Sequence, residues 1–295
     1  MSNGKKYPIV FAHGIARFDF LLNFFSKTFD ALGLNVDSPN DALHYFKGIA
    51  SHLRSHGFDI YHSSVRFAAG VDQRAEDLRN EVNKALTLRG REKVHIIAHS
   101  MGGLDARHMI VNLDMSAKVS SLTTIGTPHL GTSFADWGLA HQGDEFIRII
   151  GNVIDLGGFR DLAQGACSDF NEHAREREAS NAVVYRAYAA AQKQPLVFTP
   201  LQKSWDIIHD SDGDNDGLVS VTSQLWQSQL ATPQGTVKHI EQKLFPVPAD
   251  HLNEIGWWDL NEVRELAWWK TSIVSAIRDY ELRIKDVYLD IAKSL

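Results

Sequence analysis

The stretch that most limits what this chain can fold into is KVHIIAHSMGGLDAR, residues 93–107. Val94, Ile96 and Ile97 form a short apolar run rich in β-branched residues, as in a strand buried on both faces. Small residues follow, and then LDARHMIVNL, which carries a helical pattern. A serine between small residues at a strand-to-helix junction is the signature of a nucleophile elbow. The turn there is sharp, and large side chains two positions to either side would collide where strand and helix converge. Ser100 would then stand at a helix N-terminus, whose free N–H groups favour negative charge. Ala98 occupies the first small position of the usual G-x-S-x-G and Gly102 the last. The plain structural alternative is a tight Gly102–Gly103 turn with Ser100 capping a helix, so the rest of the chain has to decide.

The pattern around this stretch alternates. Residues 8–12 (PIVFA), 58–63 (FDIYHS) and 119–125 read as further strands, and 41–57 and 71–88 as helices, with Asp41 and Gly57 bounding the first. Strands separated by helix-length segments argue a parallel α/β sheet. His13-Gly14-Ile15 ends the first strand, and the amide of Ile15 would face the sheet's C-terminal edge, where open α/β sheets bind ligands. Phe18, Leu21, Leu22, Phe25 and Phe29 then recur at helical spacing. They read either as the core face of a helix or as an apolar wall for an acyl chain, with Phe18 and Leu21 nearest the site. The alternation breaks at about residues 134–181, a helical, charged interval suited to a cap or lid. It resumes with strand character at 183–188 and 196–198.

Bulk properties exclude several functions. With 30 basic against 36 acidic residues and a formal net charge of -6, nothing favours nucleic acid. The single cysteine, Cys167, rules out an intramolecular disulfide. No segment approaches transmembrane length. MSNGKK leads straight into a strand, which reads as a cytoplasmic protein or one secreted without a recognisable signal peptide.

Two downstream loops carry chemistry. DSDGDNDGLV, residues 210–219, supplies acids at alternate positions. Its spacing begins like a calcium loop, but the twelfth position is Ser223 rather than glutamate, and helix-type flanks are missing. The other reading takes Asp216 as the partner of a catalytic histidine. ADHLNEIG then places His251 in a polar loop. Ser100, Asp216 and His251 follow the chain order of α/β-hydrolases. The chemistry would be acyl transfer, with the amides of Ile15 and Met101 holding the oxyanion.

PIVFAHGI, YFKGIASHLRSHG, AHSMGG, TIGTPHLGTSFADW, NDGLV and DHLNEIG, in that order, resemble the bacterial true lipases of family I, the Pseudomonas and Proteus type. The resemblance implies one α/β-hydrolase domain over residues 1–295, a mostly parallel sheet flanked by helices, with a lid after Phe134. It implies ester hydrolysis with triacylglycerol as substrate class, met at a lipid–water interface, and assigns Ser100 as nucleophile, Asp216 as acid and His251 as base. The alternatives are a short-chain carboxylesterase or acyltransferase on the same three residues, or a non-catalytic binding protein on the same scaffold. No cofactor is required. Family members commonly hold a structural calcium through an aspartate two residues after the histidine. Here that residue is Asn253, leaving Asp206 or the acidic loop to supply any different site.

Overall fold

The computed structural model describes residues 7–15, 45–67, 69–141, 156–258 and 273–295. The proposed acyl-wall residues Phe18 and Leu21, and Trp268 and Trp269, lie outside the described residues. The framework is a six-stranded parallel sheet in the order β2-β1-β3-β4-β5-β8. Its strands are β1 (Ile9–Ala12), β2 (Ile60–His62), β3 (Val94–His99), β4 (Val119–Ile125), β5 (Val184–Ala189) and β8 (Glu241–Leu244). A small antiparallel pair, β6 (Gln229–Ala231) and β7 (Val237–His239), lies beside it.

Every residue of β1 and β3 is buried, as their continuous apolar character requires of central parallel strands. At one edge, all four residues of β8 are exposed, and its Glu241 and Lys243 discourage pairing with another strand. The chain crosses from β1 to β2 on one side and then to β3 on the other, so the order reverses between β1 and β3. Ligand sites of doubly wound sheets form at such a reversal, outside the carboxyl ends of the strands. Ala12 pairs with Ala98 there, which puts Gly14-Ile15 and His99-Ser100 side by side.

Helices cover both faces: α1 (Ile49–Ser55), α2 (Val71–Arg89), α3 (Met101–Asn112), α4 (Ser133–Ala140), α5 (Gln164–Ser180), α6 (Gln202–Asp212), α7 (Val221–Leu225) and α8 (Ile273–Lys293). Val10, Ala12, Ile96 and Ala98 pack toward α2 and α3 with Leu78, Val82 and Met109. Ile9, Phe11 and Ile97 pack on the opposite face with Phe46, Ile49 and Tyr288. Among the described residues no helix is long and apolar enough to cross a membrane.

Two expectations need correction. The helix read over 41–57 begins, in its described part, only at Ile49, because Gly48 adopts a left-handed φ of 65° that interrupts helical bonding. Residues 196–198 are not a strand: Gln194–Leu196 and Thr199–Leu201 are short 3₁₀ turns. Pro195 and Pro200 fix the backbone there and remove donors a sheet would need. Within the interval at 134–181, the described residues form α4, the 3₁₀ segment Leu156–Leu162 and α5. Its last part, α5, returns the chain to β5 and is buried against the sheet side through Ala174 and Glu178. Phe134 of α4 and Phe159 and Leu162 of the 3₁₀ segment line the cavity over Ser100.

The α5 contact rests on a buried ion pair. Arg107 of α3 donates from Nε to Glu178 Oε1 (2.8 Å) and from Nη2 to Glu178 Oε2 (2.9 Å) and Asn171 Oδ1 (2.7 Å). Its guanidinium carbon lies 3.8 Å from the centre of the Trp226 ring. Arg107→Met would leave Glu178 as an unpaired buried charge, so a loss of about 3–5 kcal/mol is expected. Urea unfolding of the two proteins measures it, and a loss under about 1 kcal/mol would contradict a paired, dry site.

Candidate active site

The elbow is strained in the way its sequence requires. Ser100 has φ 57° and ψ -138°, a region costly for any residue with a Cβ. The strain persists because neighbours hold it: Ser100 N–H donates to Ile125 O (3.0 Å) and Thr127 Oγ1 donates to Ser100 O (2.8 Å). A Cβ on Gly102 would stand 2.5 Å from Ala12 O, and one on Gly103 would collide with the Thr127 side chain. Those glycines are required by how closely α3 approaches β1 and the loop after β4.

The three residues singled out from sequence come together. His251 Nε2 lies 2.8 Å from Ser100 Oγ, and His251 Nδ1 lies 2.8 Å from Asp216 Oδ2. All three are buried, with Asp216 at 0% exposure, so these contacts are poorly screened. The other carboxylate oxygen, Asp216 Oδ1, accepts N–H bonds from Leu218 (2.8 Å) and Val219 (2.7 Å), which fix its orientation. The His251 N–H donates to Asp216 O (2.9 Å), tying the histidine loop to the acid loop. The Ile15 and Met101 amides have no hydrogen-bond partner among the described residues, and Met101 opens α3.

Several buried charged groups around these three residues carry little local sequence signal. Arg74 of α2 donates from Nη2 to His13 O (2.8 Å) and pairs with Asp105 Oδ2 (2.7 Å), at 0% and 1% side-chain exposure. It thereby braces the loop carrying Ile15. Burial pushes the Asp105 carboxyl up to about 6, with Arg74 pulling the other way. The residue before Ser100, His99, contacts Glu254 Oε2 through Nε2 (2.9 Å) and the Tyr45 hydroxyl through Nδ1 (2.8 Å). Burial, followed by the charges of Asp216 and Asp250, holds the Glu254 carboxyl well above the ordinary range. Burial, followed by His251, holds His99 well below its own. Glu254 stands three residues after His251, the one signal in the sequence that could have drawn attention to it.

The cavity over Ser100 and His251 is apolar. Ile15, Pro128, Phe134, Phe159, Leu162 and Leu252 line it, together with Tyr45 and Leu218. Leu218 and Leu252 could have been inferred from their adjacency to the acid and histidine loops. Phe159 and Leu162 carry no local signal.

The calcium site of the resembled family does not fit these residues. Asn253 is neutral, its Oδ1 accepts from Asp250 N (2.8 Å) and its Nδ2 donates to Trp257 O (2.8 Å). Asp250 Oδ1 accepts from the N–H groups of Leu252 (2.9 Å) and Asn253 (2.8 Å). The loop is closed by its own hydrogen bonds.

The family model described as "Putative serine esterase (DUF676)" matches residues 9–177, more than half of the chain. The chain belongs to that family. Triacylglycerol lipase 2 of Saccharomyces cerevisiae is 28% identical over 281 residues, covering 85% of this chain and 81% of that protein. A triacylglycerol lipase of Pseudarthrobacter phenanthrenivorans is 33% identical over 135 residues, 45% of this chain and 36% of that one. The chain thus matches only about a third of the bacterial relative's length. Among solved structures, the mature Bacillus licheniformis lipase BlEst2 superposes with a TM-score of 0.58 at 18% identity, covering 86% of this chain and 89% of that one. Lipase 1 from Pelosinus fermentans gives 0.59 at 17% identity, covering 93% and 97%. The fold is that of the α/β-hydrolases, and this serine esterase family member is an ester hydrolase.

His13, two residues before Ile15, supplies a pH test of the site's frame. Its Nδ1 donates to Gly14 O (2.9 Å), so Nε2 is left to accept from Val65 N–H (3.4 Å). Burial, with Arg74 adding to it, lowers the ring's pKa to about 4 from 6.5. The unfolded state therefore takes up the proton first as pH falls, and this stability is lost between pH 6.5 and 4. Thermal unfolding across that window should show His13→Gln less stable than the parent near neutrality, with the gap narrowing on acidification. A gap independent of pH would refute the assignment.

Proposed function

We propose that this esterase hydrolyses acylglycerols, with Ser100 as nucleophile, His251 as base and Asp216 as the group that orients and stabilises the imidazole. The observation that carries the reading is the pair of 2.8 Å contacts from His251 to Ser100 Oγ and Asp216 Oδ2, set beneath an apolar cavity. In the first step, Oγ attacks the ester carbonyl carbon while its proton passes to His251 Nε2. The carbonyl oxygen gains the electron pair and lies against the amides of Ile15 and Met101, worth about 3–4 kcal/mol each in comparable sites. Collapse expels the alcohol, which takes the proton from His251 Nε2 and leaves an acyl-serine. Water, activated by the same nitrogen, releases the acid.

The apolar lining favours an acyl chain, and the relatives named triacylglycerol lipase support acylglycerols as the substrate class. The order of PIVFAHGI, AHSMGG, TIGTPHLG and DHLNEIG supports kinship with the bacterial true lipases of family I. In this reading α4 and Leu156–Leu162 form the cover that opens at a lipid surface, since Phe134, Phe159 and Leu162 turn inward onto the cavity.

Ser100→Ala should abolish turnover by about 10⁴-fold or more while the protein stays folded, and an organophosphate should label one serine per parent chain. Absence of labelling in folded protein would overturn the reading. Across p-nitrophenyl esters, kcat/KM should rise from acetate to longer acyl chains, and emulsified triacylglycerol should be cleaved. Activity confined to short soluble esters would remove the lipase assignment. Because Asn253 and Asp250 bond to the protein itself, we also propose that no structural calcium is needed. Treatment with EDTA should leave both Tm and turnover unchanged, and a fall in Tm reversed by Ca²⁺ would contradict this.

A further inference from the structure

Beside the imidazole of His251 lie two buried groups, His99 and Glu254, that the acyl-transfer steps do not use. His99, His251 and Glu254, all buried, each present one donor atom, and the three donors lie within 4.8 Å of one another. The Glu254 oxygen is 2.9 Å from His99 Nε2 and 3.9 Å from His251 Nδ1. Asp216 Oδ2 lies 2.8 Å from the same His251 nitrogen and adds a second carboxylate. Donors held at about 2.0–2.2 Å from one tetrahedral Zn²⁺ stand roughly 3.3–3.6 Å apart, a spacing that these separations bracket. Two imidazole nitrogens and two carboxylates suit Zn²⁺ and neighbouring transition metals, whereas Ca²⁺ asks for six to eight oxygens.

We propose that His99, His251 and Glu254, with Asp216 beside them, form an inhibitory site for a divalent transition metal such as Zn²⁺. The consequence for turnover rests on the reading of His251 as base. A neutral imidazole carries one proton, and with the metal on Nδ1 that proton sits on Nε2. Nε2 then cannot accept the proton of Ser100. Any proton on the Glu254 carboxyl leaves to solvent as the metal binds, and the two carboxylates balance its charge. His99 keeps its remaining proton on Nδ1, where the Tyr45 hydroxyl, 2.8 Å away, can accept it.

Binding can be read without turnover, by calorimetric titration of Zn²⁺ into the Ser100→Ala protein, so this test stands apart from the assignment of Ser100. One equivalent should bind, and Glu254→Gln, which keeps the size of the side chain but removes its charge, should weaken binding by about 10-fold or more. His99→Gln serves the same purpose if that variant does not fold. In the active parent, saturating Zn²⁺ should lower ester hydrolysis by about 10-fold or more, and EDTA should restore it. No stoichiometric binding, binding unaffected in the variants, or binding that leaves hydrolysis untouched would each overturn the proposal. Failure of organophosphate labelling would instead count against the catalytic reading and leave the binding result standing.

Discussion

The left-handed backbone at Ser100 is the constraint on which the rest of this site depends. A serine at φ 57° is held there only by an environment that leaves it no other conformation. That environment is the parallel register of β1 with β3, which brings Ala12 against Ala98 and delivers α3 onto the end of β1. The approach is close enough that Gly102 faces the Ala12 carbonyl with no room for a side chain. One geometric demand therefore sets strand order, residue size and the position of the Met101 amide together. The same register explains why Ile15 lines the cavity beside Ser100: it follows the strand adjacent to the one that ends at Ser100.

Strain of this kind has to be opposed by rigid surroundings, and here buried ions supply part of the rigidity. Arg74–Asp105 ties α2 and α3 to the His13 carbonyl, and Arg107–Glu178 ties α3 to α5. A buried ion pair adds little net stability over a well-packed apolar replacement, because desolvation offsets most of the attraction. What it supplies is direction. A guanidinium that must satisfy several donors fixes the distance between the elements it joins, and α3, which begins at the elbow, is held by both pairs.

Much of the frame was legible in the sequence because it follows local rules. Val94, Ile96 and Ile97 announce a central strand, and small residues around Ser100 announce the turn. Asp216 and His251 were legible through their chain order and their loops. The start of α1 was not, since nothing local distinguishes Gly48 within a helical pattern from Gly48 in a left-handed turn. Nor was the role of α5, whose charged surface hides that Glu178 is fully buried against Arg107. Glu254 and Arg74 were passed over for the same reason: a charged residue in an amphipathic or polar stretch reads as solvated. Only long-range packing reveals that the partner it needs lies far away in the chain.

The buried carboxyl of Glu254 also bears on the chemistry of the neighbouring histidine. Two carboxyl groups approach His251 Nδ1, Asp216 at 2.8 Å and Glu254 at 3.9 Å. Two full negative charges so close in a dry site would repel one another, and burial already disfavours each. Burial and the neighbouring carboxyl groups hold Glu254 well above the ordinary range, while Asp216 accepts two N–H bonds from Leu218 and Val219. Hydrogen bonding as well as proximity thus distinguishes the two carboxyl groups beside His251. Without the Leu218 and Val219 amides, the two carboxyl groups would differ far less in their claim on the imidazole.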